Sequence, residues 1–180
     1  MIEIRALRES DDRARFRSGD ADLDRFFQQY AGQNQFRHHV GVTYVALDAN
    51  RQVLAFATVA AAHVEIDGLP AAAGTKLPRY PLPVLRLARL AVDQSAQGQG
   101  LGLQVLRFVL RLALNMADDY GCVGVVVDAK PGAVPFYTKY GFAPVDAVEG
   151  ASDARPAPTP MFLSTRSIRE AMGVRPLRQR

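Results

Sequence analysis

The spacing of apolar side chains divides the chain into strands and helices before composition is considered. "IEIRAL" sets Ile2 and Ile4 on one face of an extended segment, and "ADLDRFFQQYA" places Leu23, Phe26, Phe27 and Tyr30 at i, i+3, i+4 and i+7, one apolar face of a helix. "VTYVALD" and "QVLAFATVAA" read as two strands joined across Ala49, Asn50 and Arg51, as in an antiparallel hairpin. "LPAAAGTKLPRYPLP" breaks the pattern with four prolines and a glycine, so a loop or irregular crossing is expected. "VLRLARLAVD" then resumes a strand, but its phase slips. Leu85 and Leu87 share a face, Arg89 takes the next place on it, and the apolar set returns at Leu90 and Val92. A β-bulge near Ala88 and Arg89 produces such a slip and exposes backbone groups, as bulges do beside active sites. A strand covered on both faces would show the same pattern.

A long amphipathic helix is expected from about Leu101 to Asp119. Gln104, Arg107, Arg111, Asn115 and Asp118 form its polar stripe, Leu103, Leu106, Leu110 and Leu114 its buried face, and Gly121 its C-cap. "CVGVVVDA" reads as a strand buried on both sides, "GAVPFYTKY" as a short helix ended by Gly141, and "FAPV" as another strand. Residues 146–160, rich in proline and alanine, are expected to form a mobile loop, followed by a last strand at "MFLS" and a short helix at "TRSIREAM". These elements predict one α/β (α+β) domain over residues 1–180 that ends in a basic tail, 174–180.

Composition narrows the class. With 180 residues, 48% hydrophobic and 22% charged, the chain suits one soluble domain. No apolar run approaches the roughly 20 residues of a membrane span, and "MIEIRALRESDD" is unlike a signal peptide, so a cytoplasmic protein without a membrane partner is expected. The single cysteine, Cys122, lies in an apolar run; it excludes a disulfide framework or cysteine metal cluster, reads as a buried structural thiol, and leaves no metal expected. Net charge is +4, and Arg175, Arg178 and Arg180 of the tail supply three of those charges. The distribution says more than the total. Lys76, Arg79, Arg86, Arg89, Arg107 and Arg111 face only Asp93 between positions 76 and 111, a local excess that expects an anion: a phosphate-rich cofactor, a polyanion, or simply solvent on a basic face.

That basic region brackets "SAQGQGLGLQVL", where three glycines precede a helix. Strand, glycine loop and helix N-terminus together present free N–H groups to phosphate oxygens. A dinucleotide fingerprint starting at Gly98 would need glycine at position 103, which is Leu103, and a P-loop needs a lysine after a glycine, which this segment lacks. The spacing that fits is Q-x-x-G-x-G over Gln97, Gly98, Gln99, Gly100, Leu101 and Gly102. It resembles the pyrophosphate-binding motif of the Gcn5-related N-acetyltransferase (GNAT) family. "AVPFYTKYGF" further on resembles the family's A-x-x-F-Y-x-x-x-G-F segment through Ala133, Phe136, Tyr137, Gly141 and Phe142. "DADLDRFFQQYAGQNQFRHHVGVTYVALD" with "YPLPVLRLARLAVDQSAQGQGLG" looks like the branch of toxins that acetylate the amino acid carried on transfer RNA.

The resemblance implies a central mixed, mostly antiparallel sheet splayed at strands four and five and flanked by helices, with acetyl-CoA as cosubstrate. It assigns the pyrophosphate to the backbone of Gln97 to Gly102 and the pantetheine arm to Leu90, Ala91 and Val92, and makes the Val92 amide a candidate for polarising the thioester carbonyl. Tyr137 matches the general acid, with Tyr140 as runner-up, while Lys130 stands where many members carry an asparagine that helps hold the cofactor. No convincing general base is legible: His63 and Glu65 on the extension of the third strand are the candidates, while His38, His39 and His63 each read first as ordinary polar residues. A lysine amine with pKa about 10.4 needs a base at neutral pH, whereas an α-amine near about 7.7 to 8.0 is already partly neutral, so the gap favours an α-amine acceptor. Arg79, Arg86 and Arg89 are the candidates to hold a nucleic-acid carrier of that amine. The expected partners are charged tRNA, an antitoxin protein and a second copy of the chain. A small amine or protein N-terminus as acceptor, and a non-catalytic coenzyme A binding module, are the alternatives.

Overall fold

The computed structural model describes residues 1–65, 81–146 and 156–175. Lys76, Arg79, Arg178 and Arg180 lie outside the described residues, as do most of the proline-rich crossing and most of the 146–160 segment. Among the described residues seven strands form one sheet: β1 (Glu3–Ala6), β2 (Val42–Leu47), β3 (Val53–Val64), β4 (Leu82–Val92), β5 (Gly124–Ala129), β6 (Ala143–Pro144) and β7 (Thr159–Ser164), in the order β1-β2-β3-β4-β5-β7-β6. Helix α2 (Leu101–Asp119) is the crossover between the parallel strands β4 and β5; β1 to β3 and β5, β7 and β6 pair antiparallel. The mixed sheet flanked by helices is the expected fold class. Contacts divide the chain into two compact units, Met1–Ala60 with Leu87–Val109 and Ala61–Arg86 with Leu110–Arg180.

In the first unit β1 pairs with β2 from Glu3 opposite Leu47 to Ala6 opposite Tyr44, and β2 pairs with β3 in the expected hairpin. Asp48 makes the hairpin turn. Its carboxylate accepts the N–H groups of Asn50 (2.9 Å) and Gln52 (2.8 Å), and Arg51 adopts a left-handed φ of 64°. Phe27 stacks on Phe56 (4.4 Å between centroids, 7° between planes), and Phe16 meets both rings edge-on, so aromatic packing closes this core.

The expected first helix is present but not α-helical throughout. Asp20 caps α1 (Ala21–Arg25) by accepting the N–H groups of Asp22 and Leu23, and π turns follow at Phe26–Tyr30 and Gln33–Arg37. This corrects one face assignment. In a π turn the fifth residue on, not the fourth, returns beneath the first, and Ala31 donates its N–H to Phe26 O. Ala31 is accordingly buried, while Tyr30, expected on the apolar face, is 46% exposed.

In the second unit β7 lies between β5 and β6, from Gly124 opposite Ser164 to Ala129 opposite Thr159 on one side and with Phe162 opposite Ala143 on the other. Val64, Leu82, Val84, Val126 and Phe162 form its core. Gly121, at φ 104°, ends α2 by donating to Met116 O (2.8 Å), which is the expected cap. Cys122 is buried, as expected, its Sγ directed to Gly124 O at 3.2 Å, and burial pushes its thiol pKa up. Helix α3 (Val134–Lys139) carries the FY segment, and α4 (Thr165–Met172) is capped by the Ser164 hydroxyl accepting from Ser167 N. Along α2 the polar stripe Gln104, Arg107, Arg111, Asn115 and Asp118 is exposed, and Leu106, Leu110 and Leu114 are buried.

Candidate active site

β4 ends at Val92, and the chain turns at Asp93 through a single 3-10 turn, Gln94–Ala96, into the glycine loop. The φ angle then alternates in sign: −67° at Gln97, 74° at Gly98, negative at Gln99, 79° at Gly100. The loop is exposed, a Cβ at Gly98 or Gly100 would meet nothing within 4 Å, and Leu101 starts the helix. The first internal bond of that helix runs from Gln104 N to Gly100 O (3.2 Å), so the N–H groups of its first turn, Leu101 to Leu103, have no carbonyl of the helix to bond. Positive φ, open space and a helix N-terminus fit a pyrophosphate, the group that acetyl-CoA would present.

Two side chains fasten this loop, and both contributions go beyond the sequence expectation. Gln97 was expected to contribute its backbone; its side chain also donates to Val92 O (2.9 Å) and Ser18 O (2.8 Å). Asp93 is 7% exposed and accepts from Arg17 N (2.8 Å), Ser95 N (3.0 Å) and the Ser95 hydroxyl (2.7 Å). Burial pushes the Asp93 carboxyl up, but those three hydrogen bonds outweigh it and hold the pKa below the ordinary carboxylate value. Gln94 N donates to Arg17 O (2.8 Å), which completes the tie to the segment entering α1. The Asp-x-Ser spacing at Asp93 was a local signal for this turn; nothing local marked Arg17 or Ser18, 76 and 79 positions away from their partners.

Tyr137 sits in the second turn of α3 at 5% exposure, its ring edge-on to Phe136 (5.1 Å) and Phe142 (5.3 Å). Phe142 N returns to Tyr137 O (3.1 Å) across the turn at Gly141, whose φ is 93°. Burial alone pushes the Tyr137 pKa well above the phenol's ordinary value, with no hydrogen bond contributing to the shift. The phenol is therefore neutral throughout the physiological range, with a proton to donate and lone pairs to accept one. Tyr140, the runner-up, is half-buried against Phe136.

On β4, Ala91 is buried and Leu90 and Val92 are half-buried. Arg86 pairs with Asp128 at 3.2 Å, and the Arg89 guanidinium lies 3.7 Å over the Phe26 ring. Lys130 is exposed at the start of the turn leading to α3, where its carbonyl accepts from Ala133 N and Val134 N. His38, His39, His63 and Glu65 are all exposed. Among the described residues no group of three or more histidine, cysteine or acidic side chains could hold a metal ion, and no helix is long and apolar enough to cross a membrane.

Comparison with known proteins gives the same chemistry. Residues 27–153 match a family described as "Acetyltransferase (GNAT) domain". A "tRNA-acetylating toxin" of Mycobacterium tuberculosis (strain ATCC 25618 / H37Rv) is 30% identical over 139 residues, 77% of this chain and 82% of that protein. The structure of AtaT complexed with acetyl-methionyl-tRNAfMet superposes with a TM-score of 0.81 at 26% identity, covering 96% of this chain and 99% of the other. A variant of AtaT bound to the C-terminus of the antitoxin AtaR and acetyl-CoA superposes with a TM-score of 0.76 at 25% identity, covering 96% and 99%.

Proposed function

The chain belongs to the GNAT acetyltransferase family, and on that premise we propose that it transfers the acetyl group of acetyl-CoA to the α-amine of an aminoacyl-tRNA, as the toxin of a toxin–antitoxin pair acting in the cytoplasm. The observation that carries the reading is the exposed glycine loop, with left-handed φ at Gly98 and Gly100, that leads from β4 into the N-terminus of α2. The cosubstrate supplies the activated thioester; the chain binds it, orients it and manages one proton.

In this reading the glycine-loop N–H groups hold the pyrophosphate, and β4 pairs with the pantetheine arm from Leu90 to Val92 as if with another strand. The Val92 amide donates to the carbonyl oxygen where negative charge develops. A neutral α-amine forms the N–C bond, the C–S bond breaks, and the proton lost by the new ammonium ends on the departing sulfur. Tyr137 has the right chemistry for that last transfer. A thiol ionises near about 8.5 and a phenol near about 10, and burial raises the latter further, so outright proton loss from Tyr137 to the thiolate is uphill. The hydroxyl therefore works as a relay: it donates to the sulfur while the ammonium proton replaces its own. An α-amine needs no base of its own near neutral pH, which agrees with the exposed, unclustered histidines.

The test supplies labelled acetyl-CoA in parallel with charged tRNA, free amino acids, polyamines and peptides. Label on charged tRNA, released with the amino acid on ester hydrolysis, is the expected result. Label confined to polyamines or peptides overturns the tRNA reading, and no transfer at all with intact acetyl-CoA binding favours a non-catalytic module. Co-expression with a neighbouring antitoxin gene should relieve growth arrest.

A further inference from the structure

Among the described residues Arg89, like Arg13, is a half-buried arginine without an ion pair, but Arg89 alone of the two lies over an aromatic ring on the strand that ends at Val92. Arg5, Arg86 and Arg169 each have a carboxylate partner, in Asp11, Asp128 and Asp118. Among the described residues no carboxylate lies within ion-pair reach of Arg89; one face of its guanidinium is covered by Phe26 at 3.7 Å, and the residue is half-buried. Burial lowers its pKa from the ordinary arginine value, yet a guanidinium stays charged. A cation taken partly out of water without a counter-charge is costly, and a ring face returns only about 0.5–2 kcal/mol. Its planar donor edge remains available, in the form that suits a phosphate bidentately. Phe26 in turn opens the first π turn, a local irregularity that recurs at functional sites.

The position selects the ligand. Arg89 lies three residues before Val92, about 10 Å along an extended strand. In an aminoacyl-tRNA, eight covalent bonds separate the α-amine nitrogen from the phosphorus on the 5′ side of the same nucleotide, a span of up to about 10 Å. We propose, resting on the aminoacyl-tRNA reading, that Arg89 is the anchor for the phosphodiester on the 5′ side of the aminoacylated terminal nucleotide, held flat by Phe26 so that the α-amine reaches the thioester. Of the arginines on β4, Arg86 serves Asp128 and Arg89 serves the substrate.

The experiment compares Arg89→Met and Arg89→Lys with the parent protein on two acceptors carrying the same amino acid: charged tRNA, and a 3′-aminoacyl-adenosine that lacks the 5′ phosphate. Arg89→Met is expected to raise KM for charged tRNA about tenfold or more, the loss of one charge-assisted bidentate contact, while KM for the phosphate-free nucleoside and the Kd for acetyl-CoA stay within about twofold. Arg89→Lys should fall between, because it keeps the charge and loses the planar fork. The same acceptor bearing a 5′ phosphate should restore the sensitivity to Arg89. An equal loss on nucleoside and tRNA overturns the proposal in favour of a structural role, as does an unchanged KM for charged tRNA. A parent protein that acetylates neither acceptor but labels polyamines or peptides refutes the aminoacyl-tRNA reading itself, an outcome distinct from either.

Discussion

Tyr137 is buried, and no hydrogen bond contributes to the shift of its hydroxyl's pKa. Tyr137→Phe conserves the ring packing against Phe136 and Phe142; its Tm should match the parent within about 2 °C, the mark of a change near zero. Turnover should fall by about a hundredfold or more while calorimetric binding of acetyl-CoA is unchanged. A Tm loss matching the activity loss would return the residue to the core. Because burial raises this phenol, the pH–rate profile should show no falling limb below about pH 10, only a rise through the α-amine's titration near about 7.7 to 8.0. At Gly100 the argument is conformational. Its φ of 79° costs an L side chain about 1–2 kcal/mol, while a Cβ there meets nothing within 4 Å, so Gly100→Val should fold and lose acetyl-CoA affinity about tenfold or more by calorimetry. The glycine and tyrosine types were legible because each chemistry demands that one residue; the Asp93 carboxylate was not, since its partner at Arg17 is brought to it only by folding.

At the scale of elements, periodicity located most strands and helices, and α2 runs over the expected Leu101–Asp119. Its success has a plain cause: nineteen residues give the polar stripe five turns in which to repeat. The first helix misled at Tyr30 because a π turn changes the angle per residue without changing residue type, so the 3.6-residue template fails beyond Phe26. A close approach is tested at Gly124, the residue of β5 opposite Ser164. A Cβ there would lie 2.4 Å from the Leu163 carbonyl oxygen and 2.5 Å from the Phe162 ring, so the strands must part. Gly124→Ala should destabilise the protein by about 1–3 kcal/mol, visible as a lower urea midpoint. An unchanged midpoint would mean that β5 and β7 are less tightly paired than described.

For the molecule as a whole, the titrating carboxylates set its tolerance of acid. Arg5 holds the Asp11 carboxyl below its ordinary value, chiefly through their hydrogen bond, and the Arg17 and Ser95 donors do the same for Asp93 against its burial. With folded pKa values below those of the unfolded chain, both contribute stability that is fully present above about pH 4 and lost as pH falls through the folded values. Thermal unfolding should therefore show Tm falling between about pH 4 and 2, with a shallower fall in Asp93→Asn, which is also less stable at pH 7. A parallel fall in both proteins would remove Asp93 as a contributor. The sequence by itself determined the strand and helix inventory, the glycine loop after β4 and the FY segment, because each depends on residue type and short-range spacing. Tertiary structure alone decided that β7 enters between β5 and β6, that Ser18 and Arg17 tie down the glycine loop, and that Arg89 rests on Phe26 while Arg86 pairs with Asp128. Each of those joins residues dozens of positions apart, and only closure of the chain tells an arginine with a partner from one that waits for a ligand.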